Sequence, residues 1–97
     1  MTRLIAALLL ILAATANAGR DQDEARELAA KGVILPLSAI LEKARQIHDG
    51  RVLEVELEHE REHGGYVYEL EILDAQGVVW ELEFNAVSGE LIERGKE

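Results

Sequence analysis

Two neighbouring stretches of the chain alternate apolar and other side chains with a period of two, which places one kind on each face of a strand. In 66–73, tyrosines and aliphatic residues alternate with valine and glutamate, and in 78–84 the alternation resumes around Trp80 and Phe84. Between them, 74–77 reads Asp-Ala-Gln-Gly, a sequence typical of a turn. The pattern predicts an antiparallel meander with one apolar face and one acidic face.

A third alternating stretch, 51–61, precedes these two and predicts the first strand of the same sheet. Leu53, Val55 and Leu57 share one face, and glutamates occupy the positions between them. A short strand-like stretch, 90–93, follows the second turn. The expected sheet therefore has three to four strands.

Helical periodicity is confined to the part of the chain before the strands. In 39–48, apolar residues recur at the spacing of one helix face, and Ser38 stands where an N-cap is expected. A shorter helix is expected between Asp21 and Gly32. This order leaves no room for parallel crossovers, so we predict an α+β fold with one or two N-terminal helices packed on a small curved antiparallel sheet.

The first residues have the pattern of an export signal. Arg3 precedes an apolar run, Leu4 to Leu12, and Ala-Asn-Ala at 16–18 matches the small-x-small pattern of a cleavage site. We expect a cleavable signal peptide, 1–18, cut after Ala18, and a periplasmic product with no membrane attachment after cleavage. The expected division of the chain is then 19–35 for a helix and connector, 36–93 for the domain and 94–97 for a tail.

The charge balance limits the classes of partner. The chain has 19 Asp and Glu against 10 Lys and Arg, a formal net charge of −9. Phosphate backbones and anionic lipid surfaces are bound by cationic side chains, so this balance disfavours nucleic acid and anionic membranes. It is compatible with basic protein partners and with divalent cations.

The turn after the third predicted strand, with the residues that follow it, resembles a known family. The stretch 85–92 reads Asn-Ala-Val-Ser-Gly-Glu-Leu-Ile, which is similar to the Asp-Ala-x-Thr-Gly-Glu ending of PepSY domains, with Asn85 and Ser88 as mild departures. With the preceding helix and strands, the resemblance covers 36–93. It implies that the following motif residues maintain the fold rather than bind a partner: Tyr68, Gly77, Ala86, Gly89 and Glu90.

PepSY domains occur in propeptides of thermolysin-type metallopeptidases and in separate exported proteins, and the family is thought to inhibit or modulate peptidases. The resemblance therefore implies a non-enzymatic protein that binds and modulates a peptidase or another envelope protein. The alternative is a ligand- or cation-sensing accessory protein of an envelope signalling system.

The candidate binding residues are the glutamates on the outward side of the three long strands, which we call the outward glutamates: Glu54, Glu56, Glu58, Glu69, Glu71, Glu81 and Glu83. Like charges opposite each other across strands are destabilising. Water and salt, a basic protein partner or a calcium ion could each offset this repulsion. Calcium sites, however, usually need a loop that brings several oxygen ligands together around the ion.

Candidate catalytic chemistry is sparse. Ser38 and Ser88 are the only serines, both at positions suited to capping or turning, and cysteine is absent from the chain. Glutamates on an open sheet lack the burial that tunes a general acid. We therefore expect no catalytic residue, no metal site and no cofactor.

Overall fold

The alternating stretches form four antiparallel strands, and the two helical stretches lie on one face of their sheet. In the computed structural model, which describes residues 22–63 and 65–97, helix α1 spans 22–30 and helix α2 spans Leu37–Ile47. The strands are β1 (Arg51–Glu60), β2 (Gly65–Leu73), β3 (Val79–Asn85) and β4 (Leu91–Lys96), and a 3-10 turn, Arg61–His63, follows β1. The sheet order is β1-β2-β3-β4. The predicted α+β fold is confirmed.

The core lies between the helices and the apolar side of β2 and β3. Leu70 pairs with Leu82 and Tyr68 pairs with Phe84, and all four side chains are at most 1% exposed. Ile40 of α2 is fully buried against the same cluster. Burying side chains of this size contributes about 1.5–3 kcal/mol each, so these rows account for much of the stability of the domain.

The connector between the helices is tied to the sheet by hydrogen bonds. The Tyr68 hydroxyl donates to the Leu35 carbonyl oxygen at 3.1 Å. The Leu35 amide donates to the Ala86 carbonyl oxygen at 2.8 Å, and the Ala86 amide donates to the Tyr66 carbonyl oxygen at 2.9 Å. These bonds hold the helices in place over the sheet and give Tyr68 and Ala86 the fold-maintaining contacts implied by the resemblance.

The β2–β3 turn is held by Asp74. Its Oδ1 accepts hydrogen bonds from the Gln76 and Val78 amides, each at 2.9 Å, and its Oδ2 accepts one from Trp80 Nε1 at 2.8 Å. The Trp80 ring also stacks on His48 with 3.9 Å between ring centroids. The turn therefore positions Trp80 at the end of the core, partly buried rather than enclosed.

A β-bulge changes the predicted register at the start of β1. Val52 pairs with Ile72 and Glu54 pairs with Glu71, which leaves Leu53 as an extra residue without a place in the alternation. Leu53 is 43% exposed. Its predicted position on the apolar face is therefore wrong, because the bulge shifts the alternation by one residue between Val52 and Glu54.

The element boundaries differ from the prediction in two further places. α2 begins at Leu37 after Pro36, and no side chain caps it, so the predicted N-cap role of Ser38 is wrong. β4 extends through Lys96, and Arg94 pairs with Leu82. The expected tail, 94–97, is thus mostly strand, held by cross-strand pairing with β3.

The predicted signal peptide, 1–18, lies outside the described residues, and so does its cleavage site. Neither of the described helices is both long enough and apolar enough to cross a membrane.

Candidate functional site

Cross-strand pairing brings all seven outward glutamates onto the side of the sheet opposite the helices. One row of paired residues runs Glu54, Glu71 and Glu81, and the next runs Glu56, Glu69 and Glu83. Glu58 follows in the same alternation of β1 and pairs with Val67. The structure therefore places the predicted candidate residues on one continuous surface.

Two more glutamates, which were not among the predicted candidates, join this surface from β4. Glu93 pairs with Glu83. Glu97 follows Lys96, its amide bonds to the Val79 carbonyl oxygen, and its side chain interacts with Glu71. Glu93 and Glu97 have the even spacing that puts both on one face of a strand, which was the available signal, but Gly95 stands between them in that phase. We call the seven outward glutamates together with Glu93 and Glu97 the acidic face.

The carboxylates of the acidic face are crowded. Carboxylate oxygens of Glu56, Glu58 and Glu69 come within 4.8 Å of one another, and so do those of Glu69, Glu81 and Glu83. Glu54 is exposed, whereas the other six outward glutamates are only partly exposed. Glu69 belongs to both groups and is the centre of the surface.

This crowding changes the protonation of Glu69. Partial burial, hydrogen bonds with Glu81 and Glu58, and repulsion by the same two carboxylates raise the pKa of Glu69 to about 8. A carboxyl group with such a pKa is mostly protonated at neutral pH and can donate a hydrogen bond to a neighbouring carboxylate. The centre of the acidic face therefore carries less negative charge than the number of its glutamates indicates.

Two other members of the acidic face are shifted in the same direction. A hydrogen bond with Glu97, together with partial burial and repulsion by Glu97 and Glu54, raises the pKa of Glu71 to about 7. Partial burial, with repulsion by Glu93 among other carboxylates, raises the pKa of Glu83 above its ordinary value. The raised pKa values thus fall on carboxyl groups of the two inner strands, β2 and β3.

Three kinds of partner are chemically suited to such a surface: water with dissolved salt, a basic protein surface, or a hard divalent cation. Each group of three carboxylates offers three side-chain oxygens, whereas calcium takes six to eight oxygen ligands, usually from a loop that curves around the ion. Rigid strands hold their side chains in rows instead. The geometry therefore suits an extended cationic surface better than a single ion.

Raising the NaCl concentration from about 20 mM to about 500 mM is expected to raise the melting temperature. Salt screens repulsion between exposed charges, and relief of several like-charge pairs at some tenths of a kcal/mol each adds up to about 1 kcal/mol. For a domain of this size, that corresponds to an increase of about 4 °C in a thermal unfolding experiment. A melting temperature unmoved by NaCl but raised by micromolar calcium would show instead that the acidic face is a cation site.

Comparison with protein-family models gives one match over most of the chain. The model described as "Peptidase propeptide and YPEB domain", PepSY, matches residues 34–94 of the 97. The matched region contains α2, the first three strands and the beginning of β4. Neither the curated proteins nor the solved structures gave a match. This match includes the whole region, 36–93, that resembles PepSY in sequence, so the predicted resemblance is confirmed. The chain belongs to the PepSY family.

Proposed function

We propose that this protein is an exported, non-catalytic PepSY-domain protein that binds a peptidase or another envelope protein and modulates it, most directly by inhibition. Membership of a family named for peptidase propeptides supports a propeptide-like or regulatory role. Export and a periplasmic location follow from the expected signal peptide, 1–18. Modulation would result from contact that occludes the partner rather than from a reaction.

The observation that carries this proposal is the separation of the two faces of the sheet. One face is occupied by the helices and the core, and the other presents the acidic face. A surface of one charge sign accelerates encounter with a partner of opposite charge and disfavours other partners. We therefore assign the docking of a basic protein surface to the acidic face.

The arrangement of the polar residues supports a non-catalytic role. The Ser88 Oγ accepts a hydrogen bond from the Glu90 amide at 3.2 Å, which is a turn contact. Glu69 has a pKa suited to proton transfer, but it lies on an open strand face among other carboxylates rather than in a cleft that could enclose a substrate. Binding is therefore a better use of this surface than catalysis.

The proposal is tested by capturing partners from an envelope extract with the immobilised protein and with two triple variants that carry the same number and type of substitutions. Both variants replace three glutamates by glutamine, one within the acidic face and one at exposed positions away from it. The two sets are Glu69, Glu81 and Glu83, and Glu24, Glu27 and Glu62.

We expect the wild-type protein and the second variant to capture the same peptidase or envelope protein, and the first variant to bind it at least about tenfold more weakly. A tenfold loss corresponds to about 1.4 kcal/mol, which is modest for three carboxylates at a docking surface. Added protein should inhibit a captured peptidase in proportion to its concentration. Equal capture by both variants would remove the acidic face from the proposal.

The two groups of three carboxylates within 4.8 Å favour a second candidate function, a cation-sensing accessory role. Saturable calcium binding, with a melting temperature that rises as the calcium concentration exceeds its dissociation constant, would support this role. The same titration with the variant lacking Glu69, Glu81 and Glu83 would locate the ion.

A further inference from the structure

Carboxylates of the acidic face form two rows that cross the strands. Each row joins three glutamates that are cross-strand partners on neighbouring strands, and the two rows are offset by one strand. The first row is Glu54, Glu71 and Glu81, and the second row is Glu69, Glu83 and Glu93. Glu56 pairs with Glu69 but has an interaction of its own within the chain, so it is left out of the second row. Together the two rows run over all four strands.

Runs of glutamates along the inner strands are shorter than these rows. On β2 and on β3, two outward glutamates are bounded by residues without charge. These are Val67 and Leu73 on β2, and Val79 and Asn85 on β3. β1 has four glutamates at alternate positions, but Glu56 and Glu60 already have interactions. A cationic element therefore meets three of the remaining carboxylates in line only when it lies across the strands.

The spacing within a row matches a helix better than an extended segment. Neighbouring strands lie about 4.8 Å apart, so three paired carboxylates span about 10 Å. Residues i, i+3 and i+7 of a helix share one face and span about 10.5 Å along the axis. Three alternate residues of an extended segment span about 13 Å. A helix lying across the strands thus brings three side chains each to its own carboxylate.

A polar hollow of about 130 Å³ lies where the two rows approach β4. Its lining residues are Glu81, Glu83, Glu93, Gly95 and Lys96. A Cβ atom built at Gly95 would meet no other atom within 4 Å, so this position is open. The Lys96 ammonium group lies 5.5 Å from the centroid of the Trp80 ring, which belongs to the helix side of the sheet. The hollow therefore has room for one basic side chain of a partner, beside carboxylates from both rows.

We propose that the acidic face binds an α-helical segment of the partner, which lies across the strands and presents lysine or arginine at positions i, i+3 and i+7. This inference rests on the proposed function and names the kind of element that is bound. Charge complementarity selects the basic residues, and the direction of the rows selects the helix. One basic side chain of the segment would enter the hollow beside Gly95.

A second copy of this chain does not supply such a helix from its described residues. Within its bounds α1 has one basic residue, Arg26, and α2 has two, Lys43 and Arg45. Neither helix has three basic residues at i, i+3 and i+7, and both also carry acidic residues. The partner that fits the rows is therefore a different protein.

The inference is tested by calorimetric titration of the purified protein, at low salt, with blocked peptides that each carry three lysines. Two peptides have the same composition and are held helical by a hydrocarbon crosslink. The lysines of the first occupy i, i+3 and i+7, and those of the second are spread around the helix. In the third peptide lysine alternates with threonine, which favours an extended conformation. Circular dichroism verifies the conformation of each peptide.

We expect the helix with its lysines on one face to bind at least about tenfold more tightly than either other peptide, because only its lysines match a row of carboxylates. Gly95→Leu fills the hollow without changing the charge, and should weaken binding of this helix by at least about threefold. Binding of the extended peptide should change by less than about twofold.

Equal binding of the three peptides, tightest binding of the extended one, no binding by any, or unchanged binding of the one-faced helix by Gly95→Leu would each overturn the inference. Capture of a basic partner through the acidic face, together with any of these results, would leave the proposed function standing. Selective binding of the one-faced helix together with failed capture would support the helix site and count against the proposed function.

Discussion

Replacing Phe84 by alanine is expected to lower the free energy of unfolding by about 3–5 kcal/mol, the usual cost of removing a buried aromatic side chain. Phe84 is 1% exposed and pairs with Tyr68 in the row beneath the helices. The loss has two parts, the lost burial of the ring and the cavity that remains when the surrounding side chains do not collapse. Urea unfolding followed by far-UV circular dichroism measures it.

Two further variants keep this prediction decisive if the alanine variant fails to fold. Phe84→Leu retains most of the apolar volume and should lose about 1 kcal/mol. Val87→Ala changes a side chain that is 45% exposed in the turn after β3, and should alter the free energy by less than about 0.5 kcal/mol. A loss below about 1 kcal/mol for Phe84→Ala would contradict the burial of this face of the sheet.

Raising the pH from 5 to 9 is expected to destabilise the protein by about 2 kcal/mol. The ordinary pKa of a glutamate is 4.5, and the acidic face raises that of Glu69 to about 8 and that of Glu71 to about 7. Between these values the folded state binds more protons than the unfolded state, so the free energy of unfolding falls as the pH rises. Both glutamates contact solvent, which screens the repulsion between carboxylates. The expected loss of unfolding free energy is therefore well below the value that the two pKa shifts alone would give.

The same linkage makes a prediction for Glu69→Gln. Glutamine retains the size and hydrogen-bonding capacity of the protonated side chain but cannot ionise. The variant should therefore be about as stable as the wild type at pH 5 and more stable at pH 9, by about 1–2 kcal/mol. Glu24→Gln, an exposed substitution in α1, is the matched control and should follow the wild-type pH dependence. A Glu69→Gln variant that is less stable than the wild type at pH 9 would contradict the crowding of the acidic face.

The alternation of side chains was sufficient to predict the two faces of the central strands. Leu70, Leu82 and Phe84 are buried, and Glu69 and Glu81 lie on the opposite face. A strand has a fixed side-chain period of two, and a slip of one residue would bury glutamates, so the pattern allowed only one register there. The family resemblance added the turn positions, and Gly77 and Gly89 both have a φ of +81°.

The ends of the strands could not be predicted in the same way. A bulge at Leu53 depends on how β1 fits against the twisted surface of β2, which no local pattern records. The continuation of β4 through Arg94 and Lys96 depends on pairing with β3 rather than on intrinsic preference. Both features are consequences of tertiary contact.

The protonation states of the carboxyl groups on the acidic face could not be predicted from the sequence either. The number of outward glutamates was evident, but their pKa values depend on which carboxylates are adjacent. Glu69 has neighbours on both sides because β2 is an inner strand, whereas Glu54 belongs to an edge strand and is exposed. A surface on which like charges lie opposite each other is a candidate functional surface. Proteins tend to keep such locally unfavourable arrangements at their functional sites.

The side of the sheet opposite the helices is a single crowded carboxylate surface with Glu69 at its centre. This crowding can be measured by a pH titration of the glutamate side-chain carboxyl carbons by NMR, with Glu69 assigned through the Glu69→Gln variant. The structure predicts a Glu69 midpoint near pH 8, far above the ordinary 4.5, with Glu71 next highest at about 7. Midpoints for both residues near 4.5 would show that these carboxylates are separate and solvated, and that the surface is not crowded.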